Sequence, residues 1–234
     1  MEVVLQVSGY VVGLPLELLL IAALVRGPYK RFPFLFLYTL VDFLTSIIEI
    51  RPSLNYELRS PQAVHEWAFI YWVDERIMQT LMFLLVISLI WTAAAYLRPR
   101  RTVLAAVIAG TLAFAAISFA IHYDPRIVVG KWMTPWTRDL NFCAAILDLT
   151  LWFLLIRPGK RDYCLLMVSG ALGIRFTGQA IGESLRNIAQ ALHSRSPSIL
   201  FAGNFLIVAA NMICLYIWWR SLRPAPGARA IRGQ

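Results

Sequence analysis

Long apolar runs separated by short polar breaks make up nearly the whole chain, and no stretch alternates with the period of two that marks a barrel strand. Crossing a bilayer takes about 20 mostly apolar residues. Runs of that kind fall at roughly 4–25, 33–50, 67–96, 102–122, 138–157, 163–191 and 199–219. The second is short and the third and sixth are long, so tilt or a protruding end is expected. In lipid each segment must satisfy its own backbone groups, so all seven are expected to be helices. The predicted fold class is therefore all-α, a polytopic membrane bundle of seven transmembrane helices over 1–223. A basic tail, 224–234, carries Pro, Gly and Ala between arginines and is expected to be disordered near anionic lipid.

Composition agrees: 59% of the 234 residues are hydrophobic, which leaves no room for a separate soluble domain. The net charge of +9 would suit a nucleic-acid partner, but its distribution argues against one. Thirteen of the 22 Lys and Arg cluster at Arg26/Lys30/Arg31, Arg98/Arg100/Arg101, Arg157/Lys160/Arg161 and Arg220/Arg223/Arg229/Arg232. These clusters follow every second apolar run, the positive-inside pattern, and predict an outside N-terminus and a cytoplasmic C-terminus in a multi-pass cell-membrane protein. Cytoplasmic connections are expected at 27–32, 97–101 and 158–162, and longer outer loops at 51–66 and 123–137. Trp67, Trp132 and Trp136 suit an outer aromatic belt, and Trp218-Trp219-Arg220 an inner one. The start Met1-Glu2 lacks the positive region of a cleaved signal peptide. Cys143, Cys164 and Cys214 all avoid the outer loops, so no structural disulfide is expected.

Against this apolar background seven acids stand well inside the runs: Glu17, Asp42, Glu49, Asp74, Glu75, Asp148 and Glu183, with Arg76 and Arg175 as opposing charges. Ionisable groups at such depth cost about 2.5–3.5 kcal/mol each on insertion scales and face a bundle interior or a wet cavity. A rise of 1.5 Å per residue sorts them into two layers. Glu17, Asp42, Asp148 and Arg175 lie near the middle; Glu49, Asp74, Glu75, Arg76 and Glu183 lie about 10 Å further out. Helical spacing supports one interior face: Tyr38, Asp42, Thr45/Ser46 and Glu49 in the second run, and Arg175, Gln179, Glu183, Arg186 and Gln190 in the sixth. Asn141 with Asp148, and Asn204 with Asn211, repeat at seven. Acid–arginine pairs can serve only to fix helix rotation, and that reading suffices for Arg175 with one acid. The surplus of acids goes beyond it and points to a proton or cation path.

Two further patterns concern packing. Gly9-x-x-x-Gly13 and Gly178-x-x-x-Gly182 permit close helix contact, read here as intramolecular, and Pro15 is placed to kink the first helix beside Glu17. Residues 16–26 and 147–157 share a Leu-acid-Leu-x-Leu stretch that ends in Arg, as a three-plus-one-plus-three duplication requires, although the second and sixth runs show no comparable match.

Several chemistries drop out. None of Lys30, Lys131 and Lys160 lies in a run, which excludes a retinal Schiff base. His65, His122 and His193 sit at outer ends, unsuited to haem between helices and without ligand-like spacing for a metal. No zinc-protease, nucleophile-elbow or phosphate-loop motif appears, and no cofactor is expected.

The run Arg26-x-x-Tyr29-Lys30-Arg31-Phe32-Pro33-Phe34-Leu35-Phe36-x-Tyr38, the later Tyr71-Trp72-x-x-Glu75 and the Gly170/Gly173-to-Arg186 stretch together resemble a group of uncharacterised bacterial seven-span integral membrane proteins. The resemblance implies a small helical bundle in a bacterial inner membrane and no assigned activity.

The leading expectation is a small permease or ion/proton-coupled carrier with an acidic, outward-opening cavity. Its midplane would hold Glu17, Asp42 and Asp148 against Arg175, with Glu49, Asp74, Glu75 and Glu183 along the approach. The alternative is a receptor-like sensor or accessory subunit, with a protein partner at the cytoplasmic basic loops around Arg98–Arg101 and the tail. A third is an intramembrane enzyme using paired carboxylates, Asp42 with Asp148 or Asp74/Glu75 with Glu183, though no catalytic nucleophile is identified. The expected partners are the lipid bilayer and an unknown small molecule or ion, with no nucleic acid.

Overall fold

A computed structural model describes residues 2–57, 61–93, 100–124, 129–156, 162–191 and 197–223; the side chains of 2–6, 28, 51–57, 61–72, 100, 129–131, 134, 154, 190–191 and 197 are outside that description. The predicted tail 224–234, the connections 97–99 and 158–161, and the side chains of Trp67, His65 and His193 therefore lie outside the described residues.

Seven α-helices account for the described chain, with no strand among the described residues: α1 (Glu2–Val25), α2 (Pro33–Glu57), α3 (Pro61–Ala93), α4 (Arg100–His122), α5 (Val129–Ile156), α6 (Tyr163–Ala191) and α7 (Pro197–Leu222). A single 3-10 turn, Pro28–Lys30, leads into α2. α2, α3 and α7 each begin on a proline, whose fixed φ and missing N–H suit the first helical position. That start corrects the outer loop expected at 51–66: α2 continues to Glu57 and α3 opens at Pro61. α5 likewise begins at Val129, with Pro135 inside it, and shortens the loop expected at 123–137.

Six of the helices, α1, α2, α3, α4, α6 and α7, are long and apolar enough to cross a membrane, so the protein is membrane-embedded. α5 has no such window among its described residues.

Neighbouring helices form a closed ring in the order α1, α2, α3, α5, α6, α7 and back to α1, with α4 outside against α5 and α3. Exchanging α1, α2, α3 for α5, α6, α7 maps this ring onto itself, the arrangement a three-plus-one-plus-three duplication would leave.

Within the ring the two ends differ. Buried apolar side chains cluster at the end shared by the C-termini of α1, α3, α5 and α7 and the N-termini of α2 and α6, including Leu24, Leu35, Leu89, Leu151, Leu172 and Trp218. An ion pair between Arg31 and Asp162 ties the two connections at that end together. Trp218, expected in an interfacial belt, is instead fully buried: its Nε1 donates to the Val168 carbonyl at 3.0 Å and its ring meets Tyr38 edge-on, centroids 6.0 Å apart.

Lipid tails are as apolar as leucine, so helices associate through close packing rather than expulsion of water. Both glycine motifs serve α7. A Cβ at Gly9 would stand 3.8 Å from Val208 and one at Gly13 3.0 Å from Met212, while Gly178 faces Ala210 and Gly182 faces the backbone of Gly203. α7 is thus held by glycines on two sides, as the intramolecular reading of those motifs anticipated.

Candidate functional site

The apolar plug ends at a charged centre. Arg175 on α6 is 6% exposed, and its Nη1 stands 4.0 Å from Asp42 Oδ2 on α2. Hydrogen bonds from N–H to oxygen run about 2.7–3.2 Å, so this is an ion pair without a direct hydrogen bond. The guanidinium carbon lies 5.0 Å from the centroid of Tyr38, which sits one turn before Asp42 and presents its ring to Arg175 and its hydroxyl side to Asp42. Glu17 of α1, 3% exposed, is within electrostatic range of both Asp42 and Arg175, and buried Cys214 of α7 completes the surroundings of the guanidinium. Four helices of the ring, α1, α2, α6 and α7, thus contribute to one point.

From there the acids continue toward the opposite end of the bundle. Asp42 interacts with Asp74 of α3, which reaches the hydroxyl of Thr45. Asp74 and Glu75 both interact with Glu49 of α2, and Glu75 with Glu183 of α6. Glu183 accepts a hydrogen bond from Arg186 Nη1 at 2.8 Å, one turn along the same helix. The two layers expected from depth are therefore one column. It holds six acids, Glu17, Asp42, Glu49, Asp74, Glu75 and Glu183, against Arg175 and Arg186.

Several buried atoms in the column have no hydrogen-bond partner among the described residues: Glu17 Oε2, Asp42 Oδ2, Glu49 Oε1, Asp74 Oδ1, and Nε and Nη1 of Arg175. Buried polar groups are nearly always paired, and an unpaired buried charge costs several kcal/mol. The column thus leaves both acceptors and donors unpaired at its centre.

Two predicted residues fall elsewhere. Arg76 is exposed, turns away from the column and meets Met133 Sδ at 3.8 Å. With Glu75, Gln79, Thr111, Trp136 and Leu140 it lines a cavity of about 550 Å3 between α3, α4 and α5. Glu75 is common to that cavity and the column, so the cavity forms a side approach to the acids. Asp148 is 2% exposed but belongs to the α5–α6 contact, where its Oδ1 accepts from Ser169 Oγ at 2.7 Å. The register explains this: Asp148 faces Gly173 of α6, whereas Arg175, two positions on, points to the ring interior.

A third cluster lies outside the sequence reading. Asp139 Oδ2 meets His122 Nε2 at 2.9 Å and accepts from Ser118 Oγ at 3.0 Å, and its Oδ1 accepts from Arg138. Phe119, Tyr123, Trp132 and Trp136 pack into one aromatic group beside it. His122 and Asp139 lie on different helices, and only their common outer position hinted at the contact. Among the described residues no group of three or more His, Cys, Asp or Glu is placed to hold a metal ion. Comparison with protein-family models, with curated proteins and with solved structures finds no match for this chain.

Proposed function

We propose that the protein is a small ion- or proton-coupled carrier whose binding centre is the Arg175–Asp42–Glu17 point. One observation carries the reading. A purely structural ion pair gains its worth at hydrogen-bond contact, whereas Arg175 Nη1 and Asp42 Oδ2 are both buried and stand 4.0 Å apart. A substrate or ion group entering between them would satisfy both. The surplus of acids along the column suits a cation or proton as the coupled species, and the apolar plug at the Arg31–Asp162 end would close the path on that side.

In this reading α5 is the seventh span, burying its polar residues against α6 and α4. The N-terminus lies outside the cell membrane and the C-terminus in the cytoplasm, so the column opens outward. The self-mapping ring supports a carrier further, because parallel repeats related by an axis along the membrane normal are one of the ways transporters are built. The kinship to bacterial seven-span membrane proteins belongs to the same proposal.

The test is substrate-evoked current from proteoliposomes on a solid-supported membrane, across a panel of small carboxylates, amines, amino acids and alkali cations. Wild-type protein should respond to at least one member. Arg175→Gln and Asp42→Asn should each reduce that current about tenfold or more, the factor that ~1.4 kcal/mol of lost interaction represents. A current that both variants retain in full would refute this centre, and silence across the whole panel together with no proton flux would refute the carrier.

A further inference from the structure

A second cavity, of about 600 Å3, runs between α5, α6 and α7. Leu149, Ile174 and Ile213, all exposed, form its mouth, so it opens to the surroundings of the bundle rather than to the ring interior. Its walls are apolar apart from a few groups: Asp148, Trp152 and Thr177. Asp148 is the deepest of them. Its Oδ1 is held by Ser169, and its Oδ2 overhangs Gly173, 2.8 Å from where a Cβ would stand. Trp152, one turn along α5, lays its indole over Gly170, where a Cβ would come within 3.2 Å of Cζ2. Its Nε1 has no hydrogen-bond partner among the described residues. The two glycines therefore make room for an acceptor and a buried donor one helical turn apart at the inner wall of a groove that opens away from the ring interior.

We propose that this groove binds a membrane-dissolved lipophile bearing a single hydroxyl, seated between Asp148 and Trp152. A hydroxyl both donates and accepts, so it can satisfy the carboxylate oxygen and the indole N–H together. Cavities of about 300–1,000 Å3 with mostly apolar walls and a few convergent polar groups are the usual form of small-molecule sites. Depth narrows the ligand. Asp148 lies eight residues, about 12 Å, from the end of α5 at Ile156. The hydrocarbon core has a half-thickness of about 15 Å, so a phospholipid head group stays near its edge while a long-chain alcohol can bring its oxygen this far in. Asp148 is not among the groups that act directly on Arg175, although both lie within electrostatic range of Cys214.

The probe is a diazirine-bearing hexadecanol photolysed with the full-length protein in proteoliposomes, beside its methyl ether, with labelled residues mapped by peptide mass spectrometry. Labelling by the alcohol should concentrate on Leu149, Ile174 and Ile213 and exceed that by the ether about tenfold. Trp152→Phe should reduce it severalfold. Ile213→Trp, which fills the groove from an exposed position and leaves Asp148 untouched, should abolish it even if the first variant folds poorly. Equal labelling by alcohol and ether, or label spread over the outer faces of α1 and α4, would each overturn the proposal.

Discussion

Gly182→Ala tests the packing on which the charged centre depends. A Cβ at Gly182 would stand 2.8 Å from the Gly203 carbonyl oxygen, and one at Gly203 would stand 2.9 Å from that of Gly182. These two obstacles are backbone, so no rotamer change relieves them, and the Ile207 side chain, nearest of all to a Cβ at Gly182, would have to shift as well. Ordinary contact begins near 3.4 Å, and α6 and α7 must therefore separate by about half an ångström over this stretch. Overpacking of this kind costs about 1–3 kcal/mol. The better helix propensity of alanine returns about 0.5–1 kcal/mol, for a net loss of about 0–2.5 kcal/mol. Reversible unfolding in mixed micelles, titrated with an anionic detergent and followed by circular dichroism, would measure it. The double variant with Gly203→Ala should lose less than the sum of the two single changes, because one separation relieves both clashes. Gly110→Ala is the reference, since a Cβ there meets nothing within 4 Å, and it should be neutral or slightly stabilising. If Gly182→Ala matched Gly110→Ala, or if the two interface changes added fully, the close approach of α6 and α7 would not be what holds Arg175 in register.

Two other outcomes follow from the structure. Removing Arg31, Asp162 or both in a double-mutant cycle should give a coupling of only about 0.2–1 kcal/mol that falls with added salt, because the side chains are 47% and 34% exposed; a larger, salt-independent coupling would contradict this. Single cysteines replacing Pro61 and Ser196 should react with an impermeant thiol reagent from outside intact cells, and one replacing Gly159 only after permeabilisation. The reverse pattern would invert the bundle and turn the column toward the cytoplasm.

The membrane class, the all-helical fold and six of the spanning helices were legible in the sequence because each depends on a local property, the length and apolarity of a run, that lipid enforces segment by segment. The interior stripes were legible for the same reason: Tyr38, Asp42 and Glu49, like Arg175, Glu183 and Arg186, sit at helical spacing, and the structure turns them inward. Loop boundaries at 51–66 and 123–137 were not, since a polar stretch beside a membrane can stay helical once its backbone is paired. Trp218 shows the same limit. As a sequence feature it is an interfacial tryptophan, and only the packing of α7 against α2 and α6 makes it a core residue.

Spacing along one helix says nothing about rotation relative to another. Asp148 and Asp42 have the same depth and character in the sequence, yet one lies over Gly173 in an outer groove and the other faces Arg175 across the ring. The sequence by itself determined which acids this membrane protein carries within its apolar runs, but not their counter-charges, since Arg76 is exposed and Arg186 takes its place in the column. Which of these charges share a site was decided by the order in which the helices close the ring, and by glycine contacts that set helix rotation through van der Waals fit between segments far apart in the chain.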